Sequence, residues 1–69
     1  MLSKLLAEII EEGVPVADIA YTVRNRSGIT ITEQSVRNHL TGGRAGTEAL
    51  RGYRCAFGWS YEDMIDEEQ

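Results

Sequence analysis

The sequence predicts an all-α fold: a compact bundle of about five short helices. Apolar residues recur at helical spacing along most of the chain. Glycines or clusters of small polar residues punctuate it where each pattern stops. The β-branched run Ile29-Thr30-Ile31 reads as an extended connector or a very short strand, and three residues are too few for a sheet.

Each element follows from its residues. Leu2, Leu5, Leu6, Ile9 and Ile10 fall on one helical face, with Glu8, Glu11 and Glu12 off it and Gly13 closing the helix. Pro15 suits the first turn of a second helix, whose apolar face is Val16, Ile19, Ala20 and Val23. That helix should end between Asn25 and Gly28. A third helix spans about residues 32–41, with Val36 and Leu40 as its inward ridge and Gly42-Gly43 as its stop. Its cap is either Thr30, forming a capping box with Glu33, or Thr32 if the helix starts later. A fourth helix begins at Thr47, buries Leu50, Tyr53 and Phe57 with help from Ala49 and Ala56, and ends at Gly58. Ser60 caps a last helix with Asp63 as the reciprocal residue, Trp59 and Met64 form a hydrophobic staple, and residues 66–69 fray. The expected core is Leu6, Ile9, Ile19, Ala20, Val23, Val36, Leu40, Leu50, Phe57 and Ile65, with Trp59 and Tyr61 packed at the last junction.

At 69 residues the chain is read as one domain, 1–69, near the lower limit for folding without disulfides or metals. A single cysteine, Cys55, cannot form an internal disulfide. It is expected to be a packed thiol in a reducing cytosol rather than a reactive or intermolecular one. No apolar run is long enough to span a bilayer, and the first ten residues lack the basic start and cleavage site of a signal peptide. A soluble cytoplasmic protein is the expectation. No nucleophile–base pair, phosphate-cradling loop or metal-ligand spacing is present, so neither an enzyme nor a cofactor or metal site is expected. His39 is expected to be a packed or surface helix residue.

Net charge is −4, which alone argues against nucleic acid. Its distribution argues otherwise. Residues 1–12 carry Lys4 against three glutamates, for −2, and residues 61–69 carry five acids, for −5. Residues 13–60 hold all six arginines against Asp18, Glu33 and Glu48, for +3. A basic middle between acidic ends is compatible with one DNA-facing surface, and equally with ordinary solvated arginines.

The informative stretch runs from Val16 to Gly43: two short amphipathic helices, the second with short polar residues opposite its ridge. A helix for the major groove needs that arrangement. Gln34 and Asn38 can pair with adenine, Arg37 with guanine or phosphate, and Glu33 with cytosine N4 unless it only completes the cap. Thr32 and Ser35 can bind phosphate near the helix start, where they can also cap. Arg44, just past the helix, is a candidate phosphate clamp, with Arg24 and Arg26 as further candidates.

The stretch from Thr32 to Arg44, TEQSVRNHLTGGR, resembles the recognition helix and following turn of lambda-repressor-like phage repressors and Cro proteins. Gln34-Ser35, the aliphatic Val36 and Gly42 six positions later match that pattern. Ile19-Ala20 is similar to the family's Leu-Ala, and Phe57 to Ile65 to its closing leucine-glycine-valine-serine element and last helix. The resemblance implies a helix-turn-helix domain, a phage or bacterial transcriptional regulator such as a repressor, on double-stranded DNA. It also implies a homodimer through the last helix, Trp59 to Ile65. Two features depart from the pattern. Asn25 to Ile31 makes a longer connection than the family's tight turn, placing Arg24 and Arg26 on a loop. His39, Arg51 and Arg54 are unusual at their positions. The alternative is a helical protein-interaction module, antitoxin-like or adaptor, that keeps the fold without DNA binding; the acidic balance favours it.

Overall fold

The structure, a computed structural model, describes residues 1–65. The expectation that residues 66–69 fray lies outside the described residues. Those residues form five helices and no strand: α1 (Leu2–Glu11), α2 (Val16–Ser27), α3 (Glu33–Leu40), α4 (Thr47–Phe57) and α5 (Tyr61–Met64). The radius of gyration is 10.7 Å, against about 11 Å for a compact chain of this length. No helix of the described residues is long and apolar enough to cross a membrane.

The helices close a ring around one core. α1 packs on α3 and α5, α3 on α2, α2 on α4, and α4 on α5. Leu6, Ile19, Val23, Val36 and Tyr53 are fully buried at its centre, with Leu2, Ala20, Ala56 and Met64 around them. Ile9, Leu40, Leu50 and Phe57 pack against that centre half-buried. Ile65 departs from expectation: it is 48% exposed, and Met64 takes the core position. Ser60 caps α5 by accepting from the Asp63 N–H at 3.2 Å. The chain leaves the helix extended at Ile65 (φ −91°, ψ 139°), so its side chain turns outward. Tyr61 is also exposed rather than core, with Arg54 over its ring at 5.2 Å. Trp59 does pack inward, stacked on Phe57 at 4.8 Å. Cys55 is exposed, not packed. It lies two residues, roughly 200°, from buried Tyr53 on α4.

Glycine makes the close approach of α4 to α2 possible. Gly52 of α4 faces Val23 of α2, and a Cβ built on Gly52 would stand 2.9 Å from Val23 Cγ1. Nearby, the Ser27 hydroxyl donates to the Val23 carbonyl at 2.6 Å and accepts from the Ile29 N–H at 3.0 Å. It thereby sets how the chain leaves α2. Among the described residues the connector forms no strand: Ile29 and Ile31 are half-buried and Thr30 is exposed. α2 continues to Ser27 and is capped by Gly28, so Arg24 and Arg26 occupy its last turn rather than a loop. The connection to α3 is correspondingly shorter than expected, from Gly28 to Thr32. Pro15 is the N-cap of α2, one position before the first helical residue.

Candidate functional site

α3 is the element whose outer surface is chemically distinctive. Thr32 is its cap: Thr32 Oγ1 accepts from the Ser35 N–H and donates to Ser35 Oγ, both at 3.0 Å. The cap therefore belongs to Thr32 and not to a Thr30–Glu33 box. Glu33 instead pairs with Arg37 one turn on, at 3.5 Å, with both side chains about half exposed (51% and 54%). At the other end, Gly42 N–H donates to the His39 carbonyl and Gly43 N–H to the Asn38 carbonyl. This bond pair needs a left-handed residue, and Gly42 supplies it at φ +101°. A Cβ on Gly43 would lie 2.7 Å from the Asn38 carbonyl oxygen, so both glycines are dictated by the turn. Thr41 adds its hydroxyl to the Arg37 and Asn38 carbonyls at 3.2 and 3.1 Å.

Between these caps the helix divides by burial. Val36, His39 and Leu40 face the interior. Glu33, Gln34, Arg37 and Asn38 are all exposed; Gln34 and Asn38 lie opposite that ridge, and Glu33 and Arg37 flank it, Glu33 roughly 20° from Leu40 around the helix. Gln34 Nε2 donates to Asn38 Oδ1 at 3.2 Å, beside the Glu33–Arg37 pair. Two parallel one-turn pairs thus order the four side chains proposed from sequence as base readers. Thr32 and Ser35 lie round the helix from them, on the rim of an open cleft of about 300 Å³. The connector, the start of α4 and His39 complete its lining, and Glu48 is its one acidic side chain. Arg44 is exposed just beyond the glycine turn.

The remaining candidates are dispersed. Arg24 is exposed in the last turn of α2, where its charge suits the helix end. Arg26 has another partner: its Nη1 donates to the Ala56 carbonyl at 3.1 Å, tying α2 to the last turn of α4. Charge leans by element without dividing. α1 and α5, in contact with each other, carry Glu8, Glu11, Glu62 and Asp63 against Lys4; α2 and α4, also in contact, carry Arg24, Arg26, Arg51 and Arg54 against Asp18 and Glu48.

Sequence reasoning missed the polar link behind α3. His39 is only 7% exposed, and its Nδ1 lies 2.8 Å from Tyr53 Oη. The rings meet edge-on at 5.6 Å and 79°. Burial lowers the pKa of His39 and raises that of Tyr53, which favours the neutral form of each. The signal for the burial of His39, though not for its partner, was present: His39 stands three residues after Val36 and next to Leu40, on the buried ridge.

The fold and this surface define a class: a small five-helix domain presenting one ordered polar helix face, among the described residues. No family model, no curated protein and no solved structure matches the chain.

Proposed function

We propose that this chain is a DNA-binding domain of the helix-turn-helix kind, acting by occupancy as a transcriptional regulator. In this reading α3 lies in the major groove, with α2 as the supporting helix. The observation that carries it is the outer face of α3: Gln34, Asn38, Arg37 and Glu33, all exposed, ordered in two pairs and backed by a buried ridge. Gln34 and Asn38 offer the donors and acceptors that read adenine. Arg37 is available for guanine because an exposed ion pair such as Glu33–Arg37 contributes at most about 1 kcal/mol. Arg44 and Arg24 supply phosphate contacts, with Thr32 and Ser35 at the helix start. Arg26 serves first as the tie to α4.

A single module of this size binds DNA weakly, and two copies would read half-sites about one helical turn apart. The surface for pairing is a groove of mixed character, lined by Leu2, Leu50 and Met64 and also by Ser3 and Arg44, with exposed Met1 (52%) and Ile65 at its edge. That groove, with the net charge of −4, also favours the second reading, a module that binds another protein.

The test is selection of a preferred site from random duplexes, then titration of the parent and of Gln34→Ala on that site and on a scrambled one. A loss of roughly 1–3 kcal/mol confined to the selected site is expected. No loss on either DNA would remove Gln34 from the interface, and no binding at all would leave the protein-partner reading.

A further inference from the structure

We propose that His39 and Tyr53 form a positioning pair that fixes the rotation of α3 about its own axis, and with it the direction of the Gln34–Asn38 face. The functional half of this inference rests on the reading of that face given above.

α3 has eight residues, little more than two turns. It packs on α1 and α2, and it gives Val36 and Leu40 to the core, contacts that are apolar and non-directional. Its link to α4 is of another kind: one hydrogen bond of 2.8 Å between two buried rings. Apolar side chains of similar shape would fill that space without desolvating two polar groups, so the bond contributes direction more than net stability.

The geometry of rotation makes the point quantitative. Atoms at a helix surface stand about 5–6 Å from the axis, so a turn of about 20° moves them roughly 2 Å. Such a shift breaks a 2.8 Å bond, and it equally displaces a side chain meant to meet a base edge. His39 follows Asn38 directly, roughly 100° around the same helix, so bond and outer face turn together. The other half of the pair is rigid. Tyr53 is fully buried and packs at 6.3 Å on Trp59, which is stacked on Phe57. Among the described residues, the Tyr53 hydroxyl has His39 Nδ1 as its partner. With that partner for the Tyr53 O–H, the assigned direction is Tyr53 Oη donating to Nδ1, with the imidazole proton on Nε2.

The test uses the full chain and three variants. Tyr53→Phe removes one oxygen and keeps the ring. His39→Leu removes the acceptor. His39→Asn keeps an amide where Nδ1 stood. Amide hydrogen exchange in α3 is expected to quicken about tenfold relative to α2 and α4 in Tyr53→Phe and His39→Leu, the consequence of losing about one hydrogen bond locally. His39→Asn should restore most of that protection. The nitrogen shifts of the parent imidazole should show the Nε2–H tautomer. Preference for a selected duplex over a scrambled one should drop in Tyr53→Phe and recover in His39→Asn. Exchange rising equally in every helix, or His39→Leu behaving as His39→Asn does, would overturn the proposal by reducing the pair to filler. If the parent prefers no DNA while α3 alone loosens, the DNA reading fails and the positioning role stands.

Discussion

Replacing Gly52 by alanine tests the close approach of α4 to α2, and its outcome can be worked out beforehand. In an isolated helix the change would help, because glycine costs about 1 kcal/mol relative to alanine in a helix interior. Here the new methyl would stand 2.9 Å from Val23 Cγ1, with Ser27 Oγ at 3.5 Å and Ile29 Cβ at 3.7 Å. The last two are ordinary contacts. The first is short of the roughly 3.5–4.0 Å optimum for carbon pairs. Val23 cannot turn aside cheaply: it is fully buried and β-branched, with one favoured rotamer in a helix. Overpacking of this kind costs about 1–3 kcal/mol. Set against the propensity gain, Gly52→Ala should destabilise by about 1 kcal/mol, a fall of roughly 4–8 °C in Tm for a domain of this size. Urea denaturation of the parent, of Gly52→Ala, of Val23→Ala and of the double variant measures it. The double variant relieves the clash and fills part of the space that Val23→Ala opens. It should therefore be more stable than the two single effects predict, by roughly 0.5–3 kcal/mol of coupling. Stabilisation by Gly52→Ala alone, with additive behaviour in the double variant, would refute this packing of α2 on α4.

Two further outcomes concern α3. Thr32→Ala deletes the oxygen that accepts from the Ser35 N–H, and should lower unfolding free energy by about 1 kcal/mol in the same denaturation assay; an unchanged midpoint would mean the cap contributes nothing. His39 gives the domain a pH dependence of defined sign. Burial holds its folded pKa below the ordinary 6.5, so its contribution is complete above that value. As pH falls below 6.5 the unfolded chain takes up the proton first, and stability declines by up to about 1.4 kcal/mol per unit until the folded pKa is reached. His39→Asn should flatten the stability profile just below pH 6.5, and an unchanged slope would contradict a neutral buried imidazole.

Much of the fold was legible because apolar spacing and helix ends coincide. The stripe from Leu2 to Ile10, the start at Thr47 and the stops at Gly42 and Gly58 all reappear in the structure. The failures have physical causes. Ile65 was expected inside on hydrophobicity alone, but α5 is a four-residue turn that tucks Met64 under and releases the chain extended. Cys55 was expected to be packed from its residue type, although its angle from Tyr53 already placed it outside. Arg24 and Arg26 were placed on a loop because Asn25, Ser27 and Gly28 resemble one. The Ser27 hydroxyl and the Gly28 cap instead close the helix there. The exposed face of α3 was readable from the positions of Val36 and Leu40. The His39–Tyr53 bond was not, because it joins residues fourteen apart across a turn that spacing does not determine.

The central claim is that this chain binds DNA through α3 and the arginines flanking it, despite a net charge of −4. Titration of a random duplex with the parent and with Arg44→Ala across a series of salt concentrations tests it most directly. Each phosphate neutralised by the protein contributes about −0.9 to the slope of log affinity against log salt. A clearly negative slope is predicted for the parent, less steep by roughly one unit in Arg44→Ala, with affinity reduced about equally on all sequences. A slope near zero, or the same slope in both proteins, would contradict the account.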